Sequence, residues 1–220
     1  MMAIQMNMSD VPAELSPVIE QIEHALKNGL GVLFLSPPGY APLMLARRID
    51  GLLPPLSSAQ SEILFGIESR HLRQTPCAPP SFRPFRAPHN SVSITGMCGN
   101  PRRAHLGEVE LASFGVLYLD DLPDFHPAVI AKLRESIRAL GDQAPFVFGS
   151  AHLCLCGKKG LPHGGCICRD DFIERHMERV EQYATTLDML QIQIPYMTPS
   201  ALKQGGGESS AAIRARLWGG

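Results

Sequence analysis

Short apolar runs alternate with amphipathic stretches along most of the chain. Continuous apolar runs occupy residues 29–35, 115–119 and 146–148, and residues 191–194 alternate between apolar and polar. Runs of this length are typical of strands that are buried on both faces. Helical periodicity is found between them, at residues 17–28, 44–49, 57–70, 107–113 and 127–140. The pattern predicts a three-layer α/β fold with a mainly parallel sheet.

The remaining segments lack a clear period. Residues 75–105 contain many prolines and are predicted to be an irregular insertion, with one strand-like alternation at residues 91–94. Residues 152–170 form a loop rich in cysteine and glycine. Residues 1–204 therefore read as one α/β core, and residues 205–220 as a glycine linker followed by the start of a further subdomain.

Composition narrows the class of protein. The 220 residues are 45% hydrophobic and 19% charged, as expected of a globular domain, and the net charge of −1 gives no general attraction to nucleic acid or anionic lipid. No apolar run approaches the roughly 18 residues of a membrane span, and residues 1–12 do not resemble a signal peptide. We expect a cytoplasmic protein with no membrane partner, whose six cysteines are thiols or metal ligands.

The first apolar strand leads into a turn that has the outline of a phosphate-binding loop. In the motif G-x-x-x-x-G-K-[ST], the lysine reaches the phosphates of ATP and the hydroxyl binds Mg²⁺. Here the two glycines, the lysine and the hydroxyl residue are replaced by Ser36, Ala41, Pro42 and Leu43. The candidate nucleotide-binding residues are Ser36, Pro37, Pro38, Gly39, Tyr40, Ala41, Pro42 and Leu43. This degenerate Walker A loop makes binding of ATP and Mg²⁺ doubtful.

A second candidate site follows the strand at residues 116–119. Asp120 and Asp121 match the Walker B pattern, in which the first acid positions Mg²⁺ and the second orients the attacking water. The second acid is normally a glutamate, and the shorter Asp121 would displace the water. The alternative is that both are solvated aspartates which cap a turn before Pro123.

Two pairs of cysteines form a candidate metal site. Cys154, Cys156, Cys166 and Cys168 can supply four thiolates to a tetrahedral Zn²⁺ ion, with glycines between the pairs that allow sharp turns. The alternative is four reduced cysteines in a glycine-rich loop.

Aromatic and basic residues are interleaved in the proline-rich insertion. Phe82 and Phe85 alternate with Arg83 and Arg86, a pattern that can bind single-stranded nucleic acid, and Arg102 and Arg103 follow. The alternative, a solvated loop that covers the sheet, is the favoured interpretation.

The chain as a whole resembles the magnesium-chelatase-like AAA+ ATPases, which include the chelatase ATPase subunit and the ComM/YifB proteins. The resemblance is carried in order by residues 44–48 (MLARR), 51–56 (GLLPPL), 83–89 (RPFRAPH), 106–112 (LGEVELA), 115–125 (GVLYLDDLPDF), the paired Cys-x-Cys segments and residues 207–214 (GESSAAIR). It implies a P-loop core and a ring-forming motor that uses ATP to remodel DNA branches or a metal-insertion partner.

Several departures fall where that activity would reside. His152 stands where the family has a sensor asparagine, and Met189 stands where it has an arginine. The protease-like N-terminal domain of the ComM type and most of the lid subdomain are expected to be absent. We therefore predict a pseudo-ATPase that acts as a scaffold, as a subunit of an AAA+ ring or as a binder of a protein partner. The alternative is an active, divergent ATP-dependent motor of the DNA-remodelling or chelatase type.

Overall fold

A five-stranded sheet forms the centre of the computed structural model, which describes residues 6–39, 41–72, 76–100, 102 and 104–219. The sheet order is β2-β3-β4-β1-β5, and every neighbouring pair is parallel. The strands are β1 (Gly31–Leu35), β2 (Phe85–Arg86), β3 (Val116–Leu119), β4 (Phe146–Ala151) and β5 (Met189–Gln193).

Eight α-helices accompany the sheet in the described ranges. They are α1 (Ser16–Lys27), α2 (Ala41–Ala46), α3 (Ser58–Leu72), α4 (Ile94–Cys98), α5 (Glu108–Leu111), α6 (Pro127–Leu140), α7 (Asp170–Thr186) and α8 (Ser210–Trp218). None of the helices that can be described has the length and apolar character needed to cross a membrane.

The two faces of the sheet are covered by different helices. Val32 and Phe34 of β1 point to one face, where they join a core formed with α1, α2 and α8. Leu33 points to the other face and packs in a core formed with α5, α6 and α7. This alternation follows from the two-residue period of a strand. The predicted three-layer α/β core with a mainly parallel sheet is confirmed.

The segment after residue 204 packs against the core. Gly206 pairs with Pro12 in an antiparallel bridge, where the sequence suggests a flexible linker. Ile213 of α8 is fully buried. The guanidinium of Arg216 donates to both carboxylate oxygens of Glu23, at 2.6 and 3.0 Å. These contacts attach α8 to α1, although Arg216 and Glu23 are 193 positions apart in the sequence.

The proline-rich insertion differs from its prediction in two places. The strand predicted at residues 91–94 is wrong, because the Ser93 hydroxyl accepts a hydrogen bond from the backbone N–H of Gly96 and starts helix α4. Polar N-caps of this kind favour a helix start over an extended strand. Phe85 and Arg86, predicted as irregular, form the edge strand β2 beside β3.

Two helices also differ from the sequence pattern. Helix α2 begins at Ala41, three residues before the predicted start, because Pro42 is well suited to the first turn of a helix. Helix α7 was not predicted. Its buried residues Val180, Tyr183 and Ala184 have the three- and four-residue spacing that could have revealed it.

The docking of α8 can be tested by shortening its buried anchor. Ile213→Ala should lower the free energy of unfolding by about 2–4 kcal/mol, because it removes buried methylenes and leaves a cavity. Ile63→Ala is the matched control, since Ile63 is 39% exposed on α3, and it should cost less than about 1 kcal/mol. Urea denaturation measures both. Equal losses would show that α8 does not contribute to the folded core.

Candidate functional site

Three loops meet at one edge of the sheet because their strands run in the same direction. Strands β1, β3 and β4 are followed at this edge by Ser36, Asp120 and His152. These residues line a cleft of about 220 Å³. Its lining is Ser36, Pro38, Gly39, Pro42, Leu43, Tyr118, Asp120, Asp121, Ser150 and His152. The structure thus brings the degenerate Walker A and Walker B segments together.

The Walker A segment divides into a turn and a helix start. Residues 36–39, which we call the proline turn, leave β1 with the backbone N–H of Ser36 donating to the carbonyl of Ala151 at 3.2 Å. Pro42 is buried in the first turn of α2, and the partly buried Leu43 packs against the core. Positions 42 and 43 therefore serve packing, and Pro42 has no N–H with which to bind an anion. Tyr40 lies outside the described residues.

The first aspartate of the Walker B segment is held by two hydroxyl groups. The Oδ1 atom of Asp120 accepts hydrogen bonds from Ser150 Oγ at 2.6 Å and from Tyr118 Oη at 3.0 Å. Burial raises the pKa of Tyr118 well above its usual range, so the phenol keeps its proton. Two neutral hydroxyl groups therefore orient this carboxylate.

The second aspartate adopts an unusual backbone conformation. Asp121 has a φ of 47°, in the left-handed region, and its N–H donates to Ser150 Oγ at 3.0 Å. Its Oδ1 atom lies 3.4 Å from Nε2 of His152. Burial raises the pKa of Asp121, while the charge of His152 acts to lower it.

His152 links the Walker B segment to the proline turn. Its Nδ1 atom lies 3.2 Å from the backbone oxygen of Ser36. A carbonyl oxygen can only accept, so Nδ1 donates the proton in this contact. The residue at the sensor position is therefore engaged with the protein's own groups.

The described lining of the cleft contains two carboxylates and no lysine or arginine. Arg47 and Arg48 are the nearest cations in sequence. Arg48 donates to the backbone oxygens of Asn7 at 3.0 Å and of Met44 at 2.9 Å. The guanidinium of Arg47 lies 5.9 Å from the ring centre of Phe85. Neither residue belongs to the described lining of the cleft.

Met189 lies at the opposite end of the sheet from the cleft. It pairs with Gly31 at the start of β1, whereas the proline turn follows Leu35 at the end. Four residues of parallel strand span about 13 Å. An arginine at position 189 would therefore lie far from the phosphate-binding edge of the same chain.

The four predicted metal ligands converge. The sulfur atoms of Cys154, Cys156, Cys166 and Cys168 all lie within 4.8 Å of one another. Three separations are 3.5, 3.6 and 3.7 Å. A tetrahedral ion with Zn–S bonds of about 2.3 Å would place its sulfurs about 3.8 Å apart. The cluster has the composition and spacing to hold a metal ion.

Backbone donors surround these sulfurs. The N–H of Lys159 donates to the buried Sγ of Cys154 at 3.3 Å. The backbone N–H groups of Lys158 and Ile167 lower the pKa of Cys156 to about 6. Hydrogen bonds of this kind stabilise the thiolate, which is the form that binds metals. We call residues 152–169, between β4 and α7, the cysteine loop.

Two arginines of the predicted basic cluster, Arg83 and Arg86, bond to other groups of the protein. Arg83 donates to the backbone oxygens of Pro54, at 2.8 Å, and of Phe114. Arg86 forms a two-point ion pair with Glu108, at 2.6 and 2.8 Å. Such contacts hold the insertion against the sheet and leave these two cations unavailable to phosphate.

The aromatic members of the cluster are also separated. The ring of Phe85 stacks on Tyr118 with 6.3 Å between centroids, whereas Phe82 is half exposed. Arg102 is exposed, and Arg103 lies outside the described residues. The arrangement favours the interpretation as a loop that covers the sheet.

Comparison with known proteins agrees with this geometry. The family described as "Magnesium chelatase, subunit ChlI" matches residues 13–141, which is more than half of the chain. The chain belongs to the magnesium chelatase subunit ChlI family. The match includes residues 36–43 and 116–121, whereas the cysteine loop follows it.

Relatives extend the similarity beyond that region. YifB of Salmonella typhimurium is 30% identical over 93% of this chain and 44% of its own length. Competence protein ComM of Haemophilus influenzae is 30% identical over 84% of this chain and 39% of its own. The chain thus spans less than half the length of these relatives. A chain from the BchI–BchD complex of magnesium chelatase aligns with a TM-score of 0.49 and 16% identity, over 96% of this chain and 73% of that one.

Two residues of the cleft were not singled out in the sequence. Tyr118 lies in an apolar strand and Ser150 in another, and their hydroxyls meet at Asp120. A polar residue near the end of an otherwise apolar strand is the signal that could have identified Ser150. Tyr118 carries a weaker signal, because tyrosine is common in strands.

Removing the central hydroxyl of the cleft should destabilise the protein. Ser150→Ala deletes the donor to Asp120 and the acceptor of the Asp121 N–H, so we expect a loss of about 1–3 kcal/mol in the free energy of unfolding. The control is Ser16→Ala, because Ser16 is exposed and its hydroxyl donates to the nearby carbonyl of Ala13. Chemical denaturation compares the two, and a neutral Ser150→Ala would rule out a structural role for this network.

Proposed function

We propose that this chain is a degenerate AAA+ domain that acts as a scaffold and does not hydrolyse ATP. The observation that carries the proposal is the charge of the cleft, whose described lining holds Asp120 and Asp121 but no lysine or arginine. Phosphoryl transfer depends on positive groups that neutralise the charge developing on the transferred phosphate. Two carboxylates without such a cation would oppose phosphate binding.

The shape of the cleft supports the same proposal. Its volume of about 220 Å³ is below the range of roughly 300–1,000 Å³ typical of small-molecule sites. Pro42 and Leu43 are committed to the first turn and packing of α2. Both also line the cleft, where they present apolar groups in place of a cation and a hydroxyl.

A scaffold of this kind acts through its surface. Membership of the chelatase family supports subunits of an AAA+ ring, either identical or different, or another protein as the partner. Nucleic acid is less supported, because Arg83 and Arg86 are bonded to internal acceptors. The competing function, a divergent ATP-driven motor, would need a cation supplied from outside the described cleft.

We also propose that the cysteine cluster binds one structural Zn²⁺ ion. The ligands would be the thiolates of Cys154, Cys156, Cys166 and Cys168, whose sulfurs already lie within 4.8 Å of one another. With four protein ligands the site has no open position for water or substrate, which favours a structural ion over a catalytic one. Free thiolates require a reducing compartment, so we place the protein in the cytoplasm.

The catalytic part of the proposal is tested by an ATPase assay on the purified, unmodified chain. We expect no Mg²⁺-dependent turnover above background. Pro42→Lys combined with Leu43→Thr should strengthen ATP binding by about tenfold in calorimetry, because it adds a cation and a hydroxyl, but should add little turnover. The altered water-orienting and sensor positions, Asp121 and His152, would remain.

Controls separate true activity from contamination. Asp120→Ala removes the first Walker B acid, and Asp124→Ala changes an exposed aspartate close by. Robust hydrolysis by the unmodified chain that is lost in Asp120→Ala and kept in Asp124→Ala would establish the motor function instead.

The metal part is tested by elemental analysis of protein purified under reducing conditions. We expect about one zinc ion per chain, reduced strongly in Cys156→Ser because one of four thiolates is lost. Cys77→Ser is the control, since Cys77 is exposed and outside the cluster. Zinc far below one per chain in the unmodified protein would exclude the site.

A further inference from the structure

The cysteine loop lies directly on the proline turn. Gly157 faces Pro38 so closely that an added Cβ would come within 3.1 Å of the Pro38 Cγ atom. Gly160 faces Pro37 in the same way, at 3.0 Å. Both glycines have positive φ angles, 72° and 89°. Two glycines of the candidate metal loop therefore pack on the two prolines of the degenerate phosphate loop.

A hydrogen-bonded link accompanies this packing. Nδ1 of His152, the first residue of the cysteine loop, contacts the backbone oxygen of Ser36 at 3.2 Å. Nε2 of His176 on α7 contacts the backbone oxygen of His152 at 2.8 Å. Pro37 is buried although it lies in a surface turn. The turn is thus covered by the cysteine loop and attached to its first residue.

Little besides the cysteines determines the shape of this loop. Residues 152–169 are all described and contain no helix or strand. Their internal backbone hydrogen bonds are local, such as the bond from the Gly157 N–H to the Cys154 carbonyl at 3.0 Å. Four glycines add conformational freedom that must be lost on folding. The four sulfurs, which lie within 4.8 Å of one another, join the two pairs of cysteines across this loop.

We propose that Zn²⁺ bound by the four cysteines holds the proline turn in place, so that metal occupancy, rather than nucleotide, orders this cleft. The inference rests on the zinc site proposed above and gives that site a role. A ligand that binds only the folded loop stabilises everything whose position depends on the loop. Loss of the ion would release Gly157 and Gly160 from the two prolines, expose Pro37 and loosen the start of α2.

Hydrogen exchange followed by mass spectrometry tests the link in the full chain. The zinc-bound protein is compared with protein stripped of zinc by a chelator under reducing conditions. Exchange should rise about tenfold in the peptide that contains Ser36 and helix α2, because the Ser36 N–H donates to the carbonyl of Ala151, directly before the cysteine loop. The peptide that contains β3 should change by less than about twofold.

Glycine variants test the contact without removing the metal. Gly157→Ala adds a methyl group against Pro38, and its control is Gly164→Ala, which has a similar φ of 66° and no atom within 4 Å. Gly160→Ala adds one against Pro37, and its control is Gly165→Ala, with a φ of 98° and only the Lys158 side chain nearby, at 3.7 Å. Each contact variant and its control impose comparable backbone strain. Only Gly157→Ala and Gly160→Ala add a methyl group against the proline turn.

The outcomes are distinct. Faster exchange in the turn for Gly157→Ala and Gly160→Ala, with unchanged zinc content and little effect of either control, supports the proposal. Zinc that is bound but whose removal leaves exchange in the turn unchanged overturns the proposal and preserves the zinc site. Equal effects of contact and control variants also overturn it. A chain that contains no zinc overturns both the site and its role, and leaves the absence of ATPase activity as a separate question.

Discussion

Parallel pairing of β1, β3 and β4 is the constraint on which the rest of this molecule depends. Because the three strands run in one direction, the segments that follow them must meet at one edge of the sheet. Strands β1 and β4 pack closely, since an added Cβ at Gly31 would lie 2.9 Å from the Val147 backbone oxygen. This shared direction places the proline turn, the aspartate pair and the cysteine loop next to one another.

At that edge, packing and internal hydrogen bonds occupy positions where a nucleotide site would need free charge. Pro42 contributes to the first turn of α2, and the hydroxyls of Tyr118 and Ser150 are directed at Asp120. Nε2 of His152 contacts Asp121, and Nδ1 contacts the backbone oxygen of Ser36 in the proline turn. The groups stabilise one another, and the described lining of the cleft contains no lysine or arginine.

The cysteine loop adds a second kind of stabilisation to the same edge. A loop with four left-handed glycines and no regular structure cannot cover a turn by packing alone, because its conformational entropy is large. Four sulfurs within 4.8 Å of one another offer a strong local cross-link. In the proposal above, a metal ion at these sulfurs stabilises the loop and, through it, the proline turn.

Local patterns in the sequence predicted β1, β3, β4 and β5, the Walker-like segments, the cysteine pairs and the family, because each is encoded in periodicity, spacing or an ordered set of short blocks. The edge strand β2, the strand order, the bonding of Ser150 to Asp120, the contact of the cysteine loop with the proline turn and the docking of α8 became visible only in three dimensions. These contacts join residues far apart in the chain, as with His152 and Ser36, which are 116 positions apart, or Ser210 and Met8, which are 202 apart. No local pattern specifies such pairs, since they follow from how the whole sheet places its ends and which faces the helices must cover.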